Sequence, residues 1–354
     1  MILTKSPYYL TIPWNHPTEV GVPEKYILEL YIWNGVKDLV PFVTYEIENK
    51  NPLERNGSVD VNISNYINTV LNTSLESDTT TNLIDANSAV WVKSQVIYYI
   101  DGVAQSPEYI STDLAIKGYG YGIDGKNTTT PSNNVLTSSK TSYFSLNSSF
   151  NIPIKVDESS SVGVTVISYP DNKINKSFTI NATNNSSQLT QNIFVKCSEI
   201  DTDTSIQVRK DNVLIKELIL KEEFRYSPID IWFINKYGHL DTITFFKDKV
   251  DSLKVKSESY ETNIGQPKNG IHQFENFNTN GQTEFKIYSG FVKESNNEIF
   301  KQLFLSDKVW QFDGTTFIPL NLGSTNLEYQ TRQRDRLINY ELSFKYSFSE
   351  INNI

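Results

Sequence analysis

The chain has 354 residues, enough for two or three domains and a sizeable core. Its formal net charge is -9 and its sequence pI is about 5.0, which argues against a dedicated nucleic-acid surface, because phosphate binding needs clustered Lys and Arg. No stretch approaches the roughly 18 apolar residues of a membrane-crossing helix, and the opening MILTKSPYYLTIPWNHP lacks the apolar run and cleavage pattern of a signal peptide, so the sequence reads as soluble without an export signal.

Tyr (20) and Phe (19) are abundant, while Met and Cys occur once each. Aromatic and β-branched residues fit a pleated, half-buried surface, so this usage predicts an all-β chain. In chain order, YILELYIW sets Tyr26, Leu28, Leu30 and Ile32 on one face. VTYEI does the same with Val43, Tyr45 and Ile47, SVDVNIS with Val59, Val61 and Ile63, and VWVKSQVIYYIDG with Val90, Val92, Val96, Tyr98 and Ile100. Period-two alternation of this extent predicts half-buried strands, and the NG and DG dipeptides between them predict tight turns. Residues 1–118 therefore read as a β-sandwich of the immunoglobulin or fibronectin kind, with one short helix at NISNYINTVL capped by Ser64 or Asn65.

Residues 119–150 are polar and aperiodic, the pattern of a loop or linker. Alternation returns at VGVTVISYP, SFTINAT, NIFVKCSEI and SIQVRKDNVLIKELIL, the last a hairpin across Lys210 to Asn212, so 151–225 reads as a second, smaller β domain. Residues 226–354 read as a third. IDIWFINKYGHLDTITFFK gives two apolar runs around a turn at Gly238, ESNNEIFKQLF begins a helix with Ser295 and Glu298 as capping box, and KVWQFDGTTFIPL turns at Asp313–Gly314. RLINYELSFKYSFSE reads as one long closing strand with Ile338, Tyr340, Leu342, Phe344, Tyr346 and Phe348 on its core face. The expected architecture is all-β, mainly antiparallel β-sandwich domains, with one or two short helices.

Chemistry-bearing patterns are sparse. KGYGYGIDGKN contains a literal G-x-G-x-x-G at Gly120, Gly122 and Gly125, but a dinucleotide loop must open a helix, and here KNTTTPSNN follows with Pro131 and no helical period. Glycines alternating with Tyr119 and Tyr121 fit a strand or bulge where another backbone comes close. The three histidines, His16, His239 and His272, stand apart and form no metal-binding spacing. EIDTDTS, Glu199 to Ser205, lacks the Gly and terminal Glu of a calcium loop. Cys197, alone and in phase with Ile193 and Val195, reads as a buried core thiol. No residue is assigned a catalytic, cofactor-binding or metal-binding role, no cofactor is expected, and no enzymatic activity is read. The many aromatics set among Asn and Tyr suit protein interfaces, with a carbohydrate-binding groove as the rival use.

Three stretches, IDIWFINKYGHLDTITFFK (Ile229 to Lys247), VWQFDGTTFIPLNL (Val309 to Leu322) and RLINYELSFKYSF (Arg336 to Phe348), together with VKSQVIYYIDG and LAIKGYGYGIDGKN, resemble virion tail proteins of the crAss-like bacteriophages of Bacteroidetes. The resemblance implies a structural ring, hub or stabilisation subunit of the tail. It would be assembled in the bacterial cytoplasm, with other tail or portal-proximal proteins and copies of itself in a ring as partners. Neither nucleic acid nor membrane is an implied partner. The alternative is a carbohydrate-binding adhesin or receptor-binding tail protein, and a third reading is a polysaccharide-degrading enzyme.

Overall fold

The computed structural model describes residues 1–14, 23–34, 41–50, 57–71, 89–124, 135–155, 161–169, 173–181, 190–200, 204–221, 225–262, 270–328 and 337–351. It bears out the all-β reading, with one helix longer than two turns among the described residues. The chain divides into two compact units. One contains Met1–Ser142, Phe150–Ile219 and Ile234–Asp241; the other contains Tyr143–Ser149, Leu220–Phe233 and Thr242–Ile354. Both units are thus discontinuous in sequence, whereas the composition changes fall near residues 118, 150 and 225.

In the first unit, a six-stranded sheet is built from β1 (Ile2–Leu3), β3 (Lys25–Trp33), β4 (Val43–Lys50), β6 (Ala89–Ile100), β7 (Val103–Ala104) and β8 (Glu108–Ile116), in the order β1-β8-β6-β3-β4 with β7 on β6. All its pairings are antiparallel except β1 with β8. The alternation in β3 and β6 has its expected effect: Tyr26, Leu28, Leu30 and Ile32 are buried with Val90, Val92, Val96 and Tyr98 in one cluster. Register sets Leu28 opposite Val96 on one side and Ile47 on the other. Leu10 and Ile12 of β2 (Tyr9–Pro13), which pairs with β5 (Ser58–Asn62), close the cluster together with Ile67 of α1 (Ser64–Asn68). The Tyr98 hydroxyl donates to the Pro13 carbonyl at 2.8 Å, so a ring buried for its apolar area keeps its polar end satisfied.

Helix α1 begins one residue earlier than its sequence suggests. Ile63 is the N-cap and makes no side-chain cap bond; the Asn62 carboxamide oxygen accepts from the Ser64 amide at 3.1 Å and so does the work expected of Ser64 or Asn65.

A five-stranded sheet follows the order β12-β11-β14-β15-β9 and a small one pairs β10 with β13. Their strands are β9 (Thr141–Phe144), β10 (Ser149–Lys155), β11 (Ser161–Tyr169), β12 (Lys173–Asn181), β13 (Thr190–Lys196), β14 (Ser205–Lys210) and β15 (Val213–Leu220). The hairpin expected across Lys210 to Asn212 is present, with Asp211 and Asn212 both at positive φ, as a two-residue turn of the right twist requires. β9 and the start of β10 lie inside the segment whose composition reads as loop.

The second unit is centred on a seven-stranded sheet, β17-β16-β21-β22-β24-β19-β18. Its strands are β16 (Ile229–Ile234), β17 (Leu240–Phe245), β18 (Lys249–Glu261), β19 (Phe274–Tyr288), β21 (Val309–Phe312), β22 (Phe317–Leu322) and β24 (Glu341–Tyr346), while β20 (Val292–Lys293) pairs with β23 (Leu337–Ile338). Ile231, Phe233, Ile243, Phe245, Phe285, Leu342 and Phe344 form its core beneath α2 (Asn297–Phe304), which contributes Ile299, Phe300 and Leu303. The expected capping box is not made. Ser295 belongs to a 3-10 turn, Glu294–Asn296, ahead of the helix; Asn296 is the N-cap, and Glu298 accepts from Gln302 one turn on at 2.7 Å. The long closing strand is in fact two, β23 and β24, broken around Asn339. Tyr340, Leu342 and Phe344 are buried as expected, but Phe348 is 48% exposed beyond the strand's end.

Candidate assembly interface

The residues singled out in the sequence are dispersed, and most of them have structural work. Tyr119 N–H donates to the Lys236 carbonyl at 2.8 Å, and Gly120 N–H to Ser6 Oγ at 2.8 Å. A side chain at Gly118 would collide with the Lys236 carbonyl, and one at Gly238, whose φ is +77°, with the Lys117 carbonyl. At Gly118 and Tyr119 the stretch therefore serves close backbone approach, here to the turn around Gly238, whereas a Cβ at Gly122 would meet open space. Gly122 opens a 3-10 turn, Gly122–Asp124, and Gly125 lies outside the described residues.

Among the histidines, His16 also lies outside the described residues and His272 is exposed. His239 is buried, its Nε2 has no hydrogen-bond partner, and burial pulls its pKa down to about 4, so it is neutral in the fold. Cys197 is fully buried in the first unit, as its phase predicts. Glu199 sits 3.8 Å from Lys196 on a short 3-10 turn, while Asp201 and Asp203 fall outside the described residues. Among the described residues, no three His, Cys, Asp or Glu side chains gather as a metal site, and no helix is long and apolar enough to cross a membrane.

The feature that sequence reasoning missed is the hairpin of β18 and β19. At its base β19 pairs with β24, Phe285 facing Phe344 and Glu284 facing Lys345. The chain's last described residues prolong this support. Glu350 N–H donates to the Gly281 carbonyl at 2.8 Å, Ile351 N–H to Asn280 Oδ1 at 3.1 Å, and Gln282 Nε2 to the Tyr346 carbonyl at 2.8 Å. Past Asn280 the two strands pair only with each other among the described residues, Glu258 opposite Phe277 through Glu261 opposite Phe274. β18 is the last strand of its sheet, so its outer row of backbone N–H and C=O groups has no partner strand among the described residues.

The arm carries apolar side chains on both faces. Leu253 and Val255 lie on the same face as the buried Phe285 and Ile287 but past the end of the core, where they are 60% and 54% exposed. The register shifts between Lys256 and Glu258, where β19 takes three residues against two and Asn278 adopts φ +48°. The extra residue turns Phe277 to the opposite face. There it meets Tyr260 edge-on at 5.7 Å, both residues a little under half exposed. Along β18 the charges are mixed: Lys249 and Asp251, 2.9 Å apart, lie at the base, Lys254 and Lys256 follow, and Glu258 and Glu261 lie near the tip. The ion pairs here, Lys345–Glu284 at 3.2 Å and Lys254–Glu284 at 3.9 Å, converge on one Glu284 oxygen that is shielded from solvent, while the two lysine side chains are partly to largely exposed. A two-stranded ribbon is marginal on its own in water, and an open edge with exposed apolar side chains invites a further strand.

No protein-family model matches the chain, and no curated protein matches it.

Proposed function

We propose that this chain is a structural component of a bacteriophage tail, a ring, hub or stabilisation subunit, that assembles with copies of itself and neighbouring tail proteins through strand and apolar contacts of the β18–β19 arm. The observation that carries the reading is the arm itself: a ribbon continuing past its sheet with an open edge and exposed Leu253, Val255, Tyr260 and Phe277. Ring subunits close through heterologous contacts, in which one patch meets a different patch on the next copy, and a projecting arm supplies one half of such a contact. The resemblance of the quoted stretches to tail proteins supplies the virion setting, with assembly in the host bacterial cytoplasm. On this reading no reaction is assigned.

Cross-linking mass spectrometry on purified virions tests it. Lys254 and Lys256 should link to residues of neighbouring tail subunits. If the chain is absent from virions while the pure protein binds a polysaccharide saturably, the adhesin reading replaces this one.

A further inference from the structure

A second feature, independent of the arm, lies inside the first unit. Lys216, Asn235 and Asp241 are each 1% exposed, and they belong to different elements: β15, the turn between β16 and β17, and β17. Lys216 Nζ stands 4.0 Å from Asp241 Oδ1, and Asn235 Nδ2 stands 3.4 Å from Asp241 Oδ2. One carboxylate thus lies between a primary amine, at ion-pair distance from one oxygen, and a primary carboxamide, hydrogen-bonded to the other. The amine donates to the Ser139 carbonyl at 2.7 Å and to Thr137 Oγ1 at 3.3 Å. Two acceptors match the two N–H bonds of a neutral amine and leave its lone pair unengaged. Burial works in the same direction, lowering the lysine's pKa against the opposing pull of Asp241.

The carboxamide is held as an electrophile. Asn235 Oδ1 accepts from the Tyr237 amide at 2.9 Å and from the His239 amide at 3.2 Å. Two backbone donors on one carbonyl oxygen are the arrangement that stabilises the charge of a tetrahedral intermediate. Asn235 Nδ2 also donates to the Leu136 carbonyl at 2.7 Å, and the Ser138 amide donates to Asp241 Oδ2 at 2.6 Å, so both side chains are fixed. The tight turn is fixed as well: Asn235 N–H donates to the His239 carbonyl at 2.8 Å, and Gly238 N–H to the Asn235 carbonyl at 2.9 Å. Exclusion of water strengthens these interactions and protects the site from hydrolysis.

From this juxtaposition we infer that Lys216 and Asn235 join in an intramolecular isopeptide bond, formed autocatalytically with Asp241 as the proton carrier. The Nζ lone pair forms the new bond to Cγ of Asn235. Asp241 takes a proton from Nζ and passes it to Nδ2, the Cγ–Nδ2 bond breaks, and ammonia leaves. The reaction exchanges one amide for another, so no oxidant, reductant or external co-reactant is needed. The product ties β15 to the β16–β17 turn covalently.

The test is the intact mass of the purified full chain under denaturing conditions, followed by peptide mapping. The expected mass is lower than the sequence mass by one ammonia, with the peptides containing Lys216 and Asn235 recovered as a single branched species. Lys216→Arg and Asn235→Ala should each restore the full mass, and Asp241→Asn should leave a large unreacted fraction. An unmodified mass for the natural chain overturns the inference whether or not the variants fold. Loss of water with a Lys216–Asp241 branch overturns it too, as does an ammonia loss that survives Lys216→Arg, which would mark succinimide formation.

Discussion

Phe344 and Lys345 are neighbours in β24 with opposite surroundings, and the contrast tests the register of the second unit. The Phe344 ring is fully buried, stacked on Phe285 at 5.6 Å and edge-on to Phe245 at 6.4 Å. Phe344→Ala should therefore cost about 3 to 5 kcal/mol through lost burial and the cavity left behind. Lys345 reaches out to Glu284, so Lys345→Ala should cost less than about 0.5 kcal/mol. Thermal melts decide between them: the reverse ranking would mean that the strand is displaced by one residue. A second residue-scale test uses Asp230. Burial raises its carboxyl to about 6, against hydrogen bonds from Thr244 Oγ1 at 2.6 Å, Ser148 Oγ at 2.9 Å and the Ser149 amide at 3.1 Å. A folded-state pKa above the unfolded 3.8 means that the fold holds the proton more tightly, so this contribution is complete below pH 3.8 and is lost as pH rises through about 6. The loss amounts to about 3 kcal/mol. His239 slopes the other way, since its pKa near 4 lets the unfolded chain gain protons first as pH falls below 6.5. The difference between natural chain and variant isolates Asp230. In Asp230→Asn the carboxamide oxygen can face the Ser149 amide and its NH2 the two hydroxyls, so its stability relative to the natural chain should rise between pH 4 and pH 7. Denaturant midpoints across that range that run parallel for the two proteins would refute it.

At the scale of elements, what the sequence discloses depends on whether apolar side chains alone carry the pattern. β3, β6 and β24 alternate strictly, and their buried faces follow residue for residue from Tyr26 to Ile32 and from Tyr340 to Phe344. β9 and the start of β10 are different, because polar side chains in and beside them are buried, some of them against partners far along the chain, while Ser142 Oγ is buried with no hydrogen-bond partner. Ser148 Oγ donates to Asp230, and Asn151 Nδ2 donates to Asn192 Oδ1 at 3.1 Å and to the Leu240 carbonyl at 3.0 Å. Those partners lie 41 to 89 residues away, so a local reading finds only polar composition and calls it loop. Helix starts err for a related reason. Ser295 and Glu298 have capping-box spacing, but the 3-10 turn ahead of α2 delays the helix by a residue, and the box cannot close. The Lys216, Asn235 and Asp241 cluster was illegible on the same ground, because its members are unremarkable in their own strands and meet only through the fold. Part of the glycine pattern was legible, since close backbone approach does occur at Gly118 and Tyr119, though not at Gly122, and only the structure names Lys236 as the neighbour.

At the scale of the whole molecule, the proposed assembly makes a demand that the isolated chain cannot meet. Base and tip of the arm differ in support. Glu284 to Ile287 are paired on both sides, by β18 and β24, whereas among the described residues Glu258 to Glu261 and Phe274 to Phe277 have only each other. Few buried apolar contacts and solvent-exposed hydrogen bonds place the outer ribbon at the low end of local stability, and the edge amides of β18 have no partner strand among the described residues. In the pure, unassembled chain, amide hydrogen exchange should therefore be fast over residues 254–261 and 274–279 and slow over 284–287. Incorporation into a ring would pair the β18 edge and bury Leu253, Val255 and the Tyr260–Phe277 pair. The outer amides should then slow by orders of magnitude while those at 284–287 change little. Replacing Leu253 and Val255 with Glu should block that protection without shifting the thermal melt of the free chain, because both side chains are already exposed in it. Protection of 254–261 in the free chain equal to that of 284–287 would show that the arm is stable alone, and the assembly argument would lose its physical basis. Exchange that stays fast in assembled particles would move the interface elsewhere on the molecule.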